Sequence, residues 1–187
     1  MTLTEPHTDL LYPLSRFCER DGHPLPPHAV LDGAAVPEPY RTLLVHRGDM
    51  TSRLEEFHDS PMILRVLHRE EDGKAYRREV LLCAKDPGLP VEYGAIEIHL
   101  DAFEPELRAR ILEGHLPLGG LLNRAGVRYR SEPRAFIKLA PDAQMNALFQ
   151  TSEEHELYGR CNVLLGAEGQ TLARIVEVLR PLGNAGS

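Results

Sequence analysis

The chain has 187 residues, 42% of them hydrophobic and 26% charged, with a formal net charge of −7. This is a globular composition, sized for one domain with an N-terminal extension, and it has no apolar run long enough to span a membrane. The acidic balance argues against nucleic acid as a partner, because non-specific nucleic-acid binding rests on neutralising phosphates. A small anionic ligand would need a local arginine working against the overall field.

Met1 to His7 lacks the basic start and apolar stretch of a secretory signal. Asp9 to Glu19 fits a short amphipathic helix. Asp21 to Pro39 is rich in Pro, Gly and Asp and reads as a connector. Residues 1–39 are therefore expected to be a helix plus a proline-rich connector, with the main domain over 40–187.

A short helix is expected over Pro39 to Val45. A second is entered through Gly48-Asp49, where Met50, Leu54 and Phe57 recur at helical spacing and Ser52 with Glu55 matches a capping box. After Pro61 the period becomes two. Met62 to Arg69, Ala75 to Ala84 and Val91 to His99 are strands joined by tight turns, an antiparallel meander. Helices follow over Glu104 to Glu113 and Leu118 to Ala125. Val127 to Leu139 alternates again, with Arg128, Arg130, Arg134 and Lys138 on its solvated face. Ala140 to Glu156 is a polar excursion. Leu157 to Leu165 and Gln170 to Leu179 are the last strands. The expected architecture is α+β, a six-stranded antiparallel sheet with helices packed on one face.

Two strands carry a charge on an apolar face. By alternation Arg78 shares a side with Tyr76, Val80 and Leu82, and Glu177 with Ala173, Ile175 and Leu179. Such charges are costly unless partnered. They can pair with each other as a structural ion pair, or Arg78 can meet a ligand carboxylate and Glu177 a ligand hydroxyl.

Other chemistries lack their motifs. There is no Gly-x-Ser-x-Gly elbow, phosphate-binding loop or His-Glu-x-x-His. The nine His residues do not pair at ligand spacing, so no metal is expected. Cys18, Cys83 and Cys161 are odd in number and widely spaced, as in reduced thiols of a cytoplasmic protein.

Four blocks in order carry a family resemblance: Gly48-Asp-Met-Thr-Ser-Arg-Leu-Glu, Arg78-Glu-Val-Leu-Leu-Cys83, Leu116-Pro-Leu-Gly-Gly-Leu-Leu122, and Glu156-Leu-Tyr-Gly-Arg-Cys through Ile175-Val-Glu-Val-Leu-Arg-Pro181. The chain resembles the chorismate pyruvate-lyases over about residues 40 to 181. The resemblance implies a chorismate lyase-like fold and cofactor-free conversion of chorismate to 4-hydroxybenzoate and pyruvate. It implies Met50 and Leu118 enclosing the aromatic acid, Arg78 gripping its carboxylate, and Glu177 at the hydroxyl end as hydrogen-bond partner or general acid. Gly120 departs from the larger, charged residue of the enterobacterial enzymes. The alternatives are a lyase for a chorismate relative and a non-catalytic aromatic-acid-binding protein. The same fold also serves effector-binding domains of transcription regulators; an acidic chain without a recognisable helix-turn-helix reads as an enzyme instead.

Overall fold

The computed structural model describes residues 9–151 and 155–182. The signal-peptide reading of Met1 to His7 lies outside the described residues, as do residues 152–154 of the polar excursion.

In chain order the elements are α1 (Leu14–Arg20), β1 (His28–Leu31), α2 (Tyr40–Leu44), α3 (Met50–His58), β2 (Met62–Glu71), β3 (Ala75–Ala84) and β4 (Pro90–His99). They continue with α4 (Pro105–Glu113), α5 (Leu118–Arg124), β5 (Tyr129–Leu139), α6 (Ala143–Phe149), β6 (Leu157–Gly166) and β7 (Thr171–Leu179). One antiparallel sheet runs β1-β5-β6-β7-β4-β3-β2. The α+β class and the antiparallel meander are as expected, but the sheet has seven strands, not six. The extra strand, β1, lies in the stretch read as a connector. It is a short edge strand pairing with β5. Three of its four residues are exposed, so no alternation marked it.

Helices cover both faces, which corrects the one-sided arrangement. On one face α1 and α6 supply Leu14, Phe17, Met145 and Phe149 against Leu81, Tyr93, Cys161, Val176 and Val178. On the other, α2, α3, α4 and α5 pack on Leu82, Ile96, Ile98, Leu164 and Leu179. The physical reason is in β3 and β4, buried at nearly every position. A run such as Val80-Leu-Leu-Cys83 has apolar side chains on both sides, so both must be covered. Helix α6 lies in the segment read as a polar excursion. Asp142 caps it, accepting from Met145 N at 2.7 Å, and Met145 and Phe149, at helical spacing, fill the core.

The entry to α3 also differs from the expected capping box. Asp49 is the cap, accepting from Ser52 N at 2.8 Å, while Glu55 accepts from Met62 N at 3.0 Å. All three cysteines are buried and unpaired. Among the described residues no helix is long and apolar enough to cross a membrane.

On β6, Gly159 faces the backbone of β7. A Cβ there would stand 2.3 Å from the backbone oxygen of Glu177, a distance no side chain tolerates. Gly159→Ala must push the two central strands apart. It should cost roughly 1–3 kcal/mol of stability, seen as a lower urea midpoint at an unchanged slope.

Candidate functional site

The registers set side chains in rungs across the face covered by α3 and α5. One rung is Arg78–Ile96–Ile175–Asn162, the next Val80–Gly94–Glu177–Arg160, and the next Leu82–Glu92–Leu179. With strands about 4.8 Å apart and residues about 3.4 Å apart along a strand, Arg78 and Glu177 have Cα atoms about 12 Å apart on the diagonal. A cavity of about 70 Å³ lies over these rungs. Arg78, Glu177, Met50 and Leu118 all line it. The sequence reading did not place three further charged residues of the lining at the site: Asp49, Glu92 and Arg160.

Arg160 decides the polar chemistry. It is fully buried, and its Nε donates to Glu177 Oε2. Its Nη1 donates to His46 O at 3.2 Å and Leu44 O at 3.4 Å, and Nη2 to Gly48 O at 3.4 Å. The charge of Glu177 is thus met by Arg160, which sets aside the Arg78–Glu177 ion pair considered from sequence. The turn holding these carbonyls also contains His46. Its Nδ1 accepts from Gly48 N at 3.0 Å and its Nε2 faces Leu43 O at 2.8 Å. Burial, helped by the Arg160 charge, lowers His46 to about 4, so it is neutral at neutral pH.

Arg78 contrasts with Arg160. It is 2% exposed. Its Nη2 donates to Leu116 O at 3.0 Å, and its guanidinium lies 5.9 Å from the Tyr76 ring centroid. Its Nε has no hydrogen-bond partner. Among the described residues no carboxylate pairs with it. Burial pulls its pKa down, with the Tyr76 side chain opposing, but a guanidinium in a protein stays charged.

Met50 opens α3 and Leu118 opens α5, both buried. The two helix starts meet where Gly119 faces Asp49; a Cβ on Gly119 would sit 3.0 Å from the Asp49 Cβ. At Gly120 a Cβ would meet nothing within 4 Å, so that departure from the enterobacterial pattern leaves open space.

Glu92 is buried and its Oε2 has no hydrogen-bond partner. Burial first, then the Glu177 carboxylate, pushes its carboxyl well above the ordinary range, with Arg160 opposing. Alternation marks both missed strand residues: Glu92 shares a side with Gly94 and Ile96, and Arg160 with Asn162 and Leu164, the pattern that singled out Arg78 and Glu177.

Elsewhere the basic row of β5 is engaged with acids: Arg130 and Arg134 with Glu132 at 2.8 and 3.2 Å, and Lys138 with Glu156 at 2.7 Å. Asp21, His68 and Glu79 bring one metal-ligand-type atom each within 4.8 Å of one another. The Glu79 carboxylate there already takes bonds from Tyr93 and from His68, the latter at 2.6 Å.

No protein-family model and no curated protein matches the chain. Solved structures do. PhnF from Mycobacterium smegmatis aligns with a TM-score of 0.57 at 13% identity, over 76% of this chain and 67% of PhnF. The effector domain of PhnF aligns with a TM-score of 0.55 at 13% identity, over 75% of this chain and 91% of the domain. A GntR-family transcriptional regulator from Bacillus cereus gives a TM-score of 0.48 at 13% identity, over 67% and 96%. At such identities the likeness is one of fold, the chorismate lyase-like fold of GntR effector domains.

This finding corrects the functional expectation. The neighbours named above with TM-scores above 0.5 are PhnF and its effector domain and not a lyase, so the expected lyase, its substrate chorismate and its product 4-hydroxybenzoate are withdrawn. The exclusion of nucleic acid falls with them. The ordered blocks tracked a fold that lyases and regulators share, and a fold does not carry a reaction with it.

The elevated Glu92 carboxyl has a consequence for stability. Below its ordinary value of 4.5 the group is protonated folded and unfolded alike. Above that the unfolded chain ionises while the folded chain keeps its proton, so stability falls as pH rises toward the folded pKa. Glu92→Gln removes this loss. The melting temperature of Glu92→Gln relative to the parent should rise with pH above about 4.5, measured by calorimetric scans across pH.

Proposed function

We propose that this chain is a regulatory ligand-binding domain whose site takes a small organic monocarboxylate, held by Arg78. The observation that carries this reading is a buried guanidinium that lines a cavity and lacks a counter-charge. An unpaired buried ion costs several kcal/mol, and a carboxylate placed against its planar fork relieves that cost with two parallel bonds. Met50 and Leu118 cover the apolar body of the ligand, and Glu177, neutralised by Arg160, bounds the far side. The likeness to an effector domain supports binding without turnover. It also supports nucleic acid as the partner of the regulatory output, in a cytoplasmic setting.

The test is calorimetry at neutral pH with a panel of short aliphatic and aromatic monocarboxylates. The parent should bind at least one of them and return it chemically unchanged. Arg78→Met should weaken binding by about 2–5 kcal/mol. The same change should raise the melting temperature of the unliganded protein, because an apolar side chain replaces an unpaired buried cation. Full affinity in a folded Arg78→Met protein overturns the reading.

A further inference from the structure

Four glutamates are buried among the described residues: Glu79, Glu92, Glu97 and Glu177. Three are engaged by side-chain partners. Glu79 takes His68 and Tyr93, Glu97 takes Tyr12, Arg77 and His99, and Glu177 takes Arg160. Of the four, only Glu92 has a fully buried carboxyl oxygen with no hydrogen bond. It is 4% exposed and lines the same cavity as Arg78. A buried polar atom without a partner costs about 1–3 kcal/mol, and native proteins retain such groups where something else satisfies them.

Its position is informative. Arg78 pairs across from Ile96 and Glu92 across from Leu82, so the two lie two rungs apart on β3 and β4. That is four residues along and one strand across, or about 14 Å between Cα positions. Gly94 lies between them, and a Cβ there would come 3.4 Å from Glu92 Oε1 and 2.9 Å from Val176 O. The missing side chain keeps the floor open beside Glu92. Val80 and Ile96 line the stretch between. The cavity therefore has a cationic end, an apolar middle and a second polar end.

Resting on the reading that Arg78 holds the ligand carboxylate, we infer that Glu92 is the selectivity residue of the site: it hydrogen-bonds an uncharged polar group, a hydroxyl or carbonyl, at the end of the ligand away from its carboxylate. The ligand class is then a hydroxy- or oxo-substituted monocarboxylate. A second ligand carboxylate is disfavoured at this end, because the Arg160 guanidinium that could balance it is already taken by Glu177 and by the carbonyls of Leu44, His46 and Gly48. A ligand ammonium is disfavoured too, because Arg160 already meets the charge of Glu177 and burial disfavours an anion at Glu92.

The experiment is calorimetry at neutral pH with unbranched acids from butanoate to heptanoate, each beside its ω-hydroxy and ω-amino forms and the matching dicarboxylate. The proteins are the parent, Arg78→Met, Glu92→Gln and Glu92→Leu. The quantity read is the ratio of hydroxy-acid affinity to plain-acid affinity. The parent should favour one chain length of hydroxy acid by about tenfold or more. Glu92→Gln, which keeps an uncharged donor and acceptor, should retain that ratio, and Glu92→Leu should bring it near one. If no acid binds, or if Arg78→Met binds them as the parent does, the monocarboxylate reading fails and this inference with it. Plain acids that bind through Arg78 with a hydroxy ratio near one, or a ratio unmoved in Glu92→Leu, overturn the inference alone. Loss of the ratio in Glu92→Gln, or preference for the ω-amino acid, also overturns it, since each requires an ionised Glu92.

Discussion

The Arg160–Glu177 pair governs the organisation of the face covered by α3 and α5. Arg160 is fully buried, and its guanidinium is shared among the Glu177 carboxylate and the carbonyls of Leu44, His46 and Gly48. A buried ion pair is stable only when its remaining donors are also satisfied. Here those donors reach out of the sheet and fasten the turn between α2 and α3. That turn places Asp49, and Asp49 caps the helix that brings Met50 over the cavity. The close β6–β7 approach allowed by Gly159 puts the two partners on one rung.

Two consequences follow for the neighbouring charges. Because Glu177 is taken by Arg160, Arg78 has no carboxylate and its buried cation stays unbalanced. Because Glu92 is buried and lies beside the Glu177 carboxylate, it is disfavoured as an anion. Among the described residues the cavity thus presents a cation without a carboxylate partner and a carboxyl disfavoured as an anion, a polarity matched by a ligand with one charged and one uncharged polar end. The opposite face makes the contrast. There Glu97 is ringed by Tyr12, Arg77 and His99, and these bonds and the Arg77 charge outweigh its burial and hold it low, at about 2. Satisfied polar groups stabilise a fold, while unsatisfied ones at a cavity point to something that binds there.

The functional correction has a physical basis. The ordered blocks include residues that line the cavity on the face covered by α3 and α5: Met50, Arg78, Leu118, Arg160 and Glu177. An arginine on a strand facing an apolar cavity binds an acid whether or not the acid then reacts. Turnover depends on how developing charge is met in the transition state, and short blocks spanning many sites do not encode that. The sheet and its meander were legible in the sequence because period-two alternation is a local property. Strand β1 and helix α6 were not, the first because an exposed edge strand has no alternating face, the second because its few core residues sit in a polar stretch.

By itself the sequence determined which side of each strand Arg78 and Glu177 occupy, and the same alternation marks Glu92 and Arg160, since successive side chains on a strand must point to opposite faces. It also determined that charge would be buried there, because the neighbours at every second position are apolar. Only the tertiary structure decided which charge meets which. The partners of Arg160 on the turn before α3 lie at least 112 residues away along the chain, and its bond to Glu177 depends on the register of β6 against β7. Alternation assigns a face but not a register, and a pair of buried charges is settled by register and by what the packed helices bring within reach.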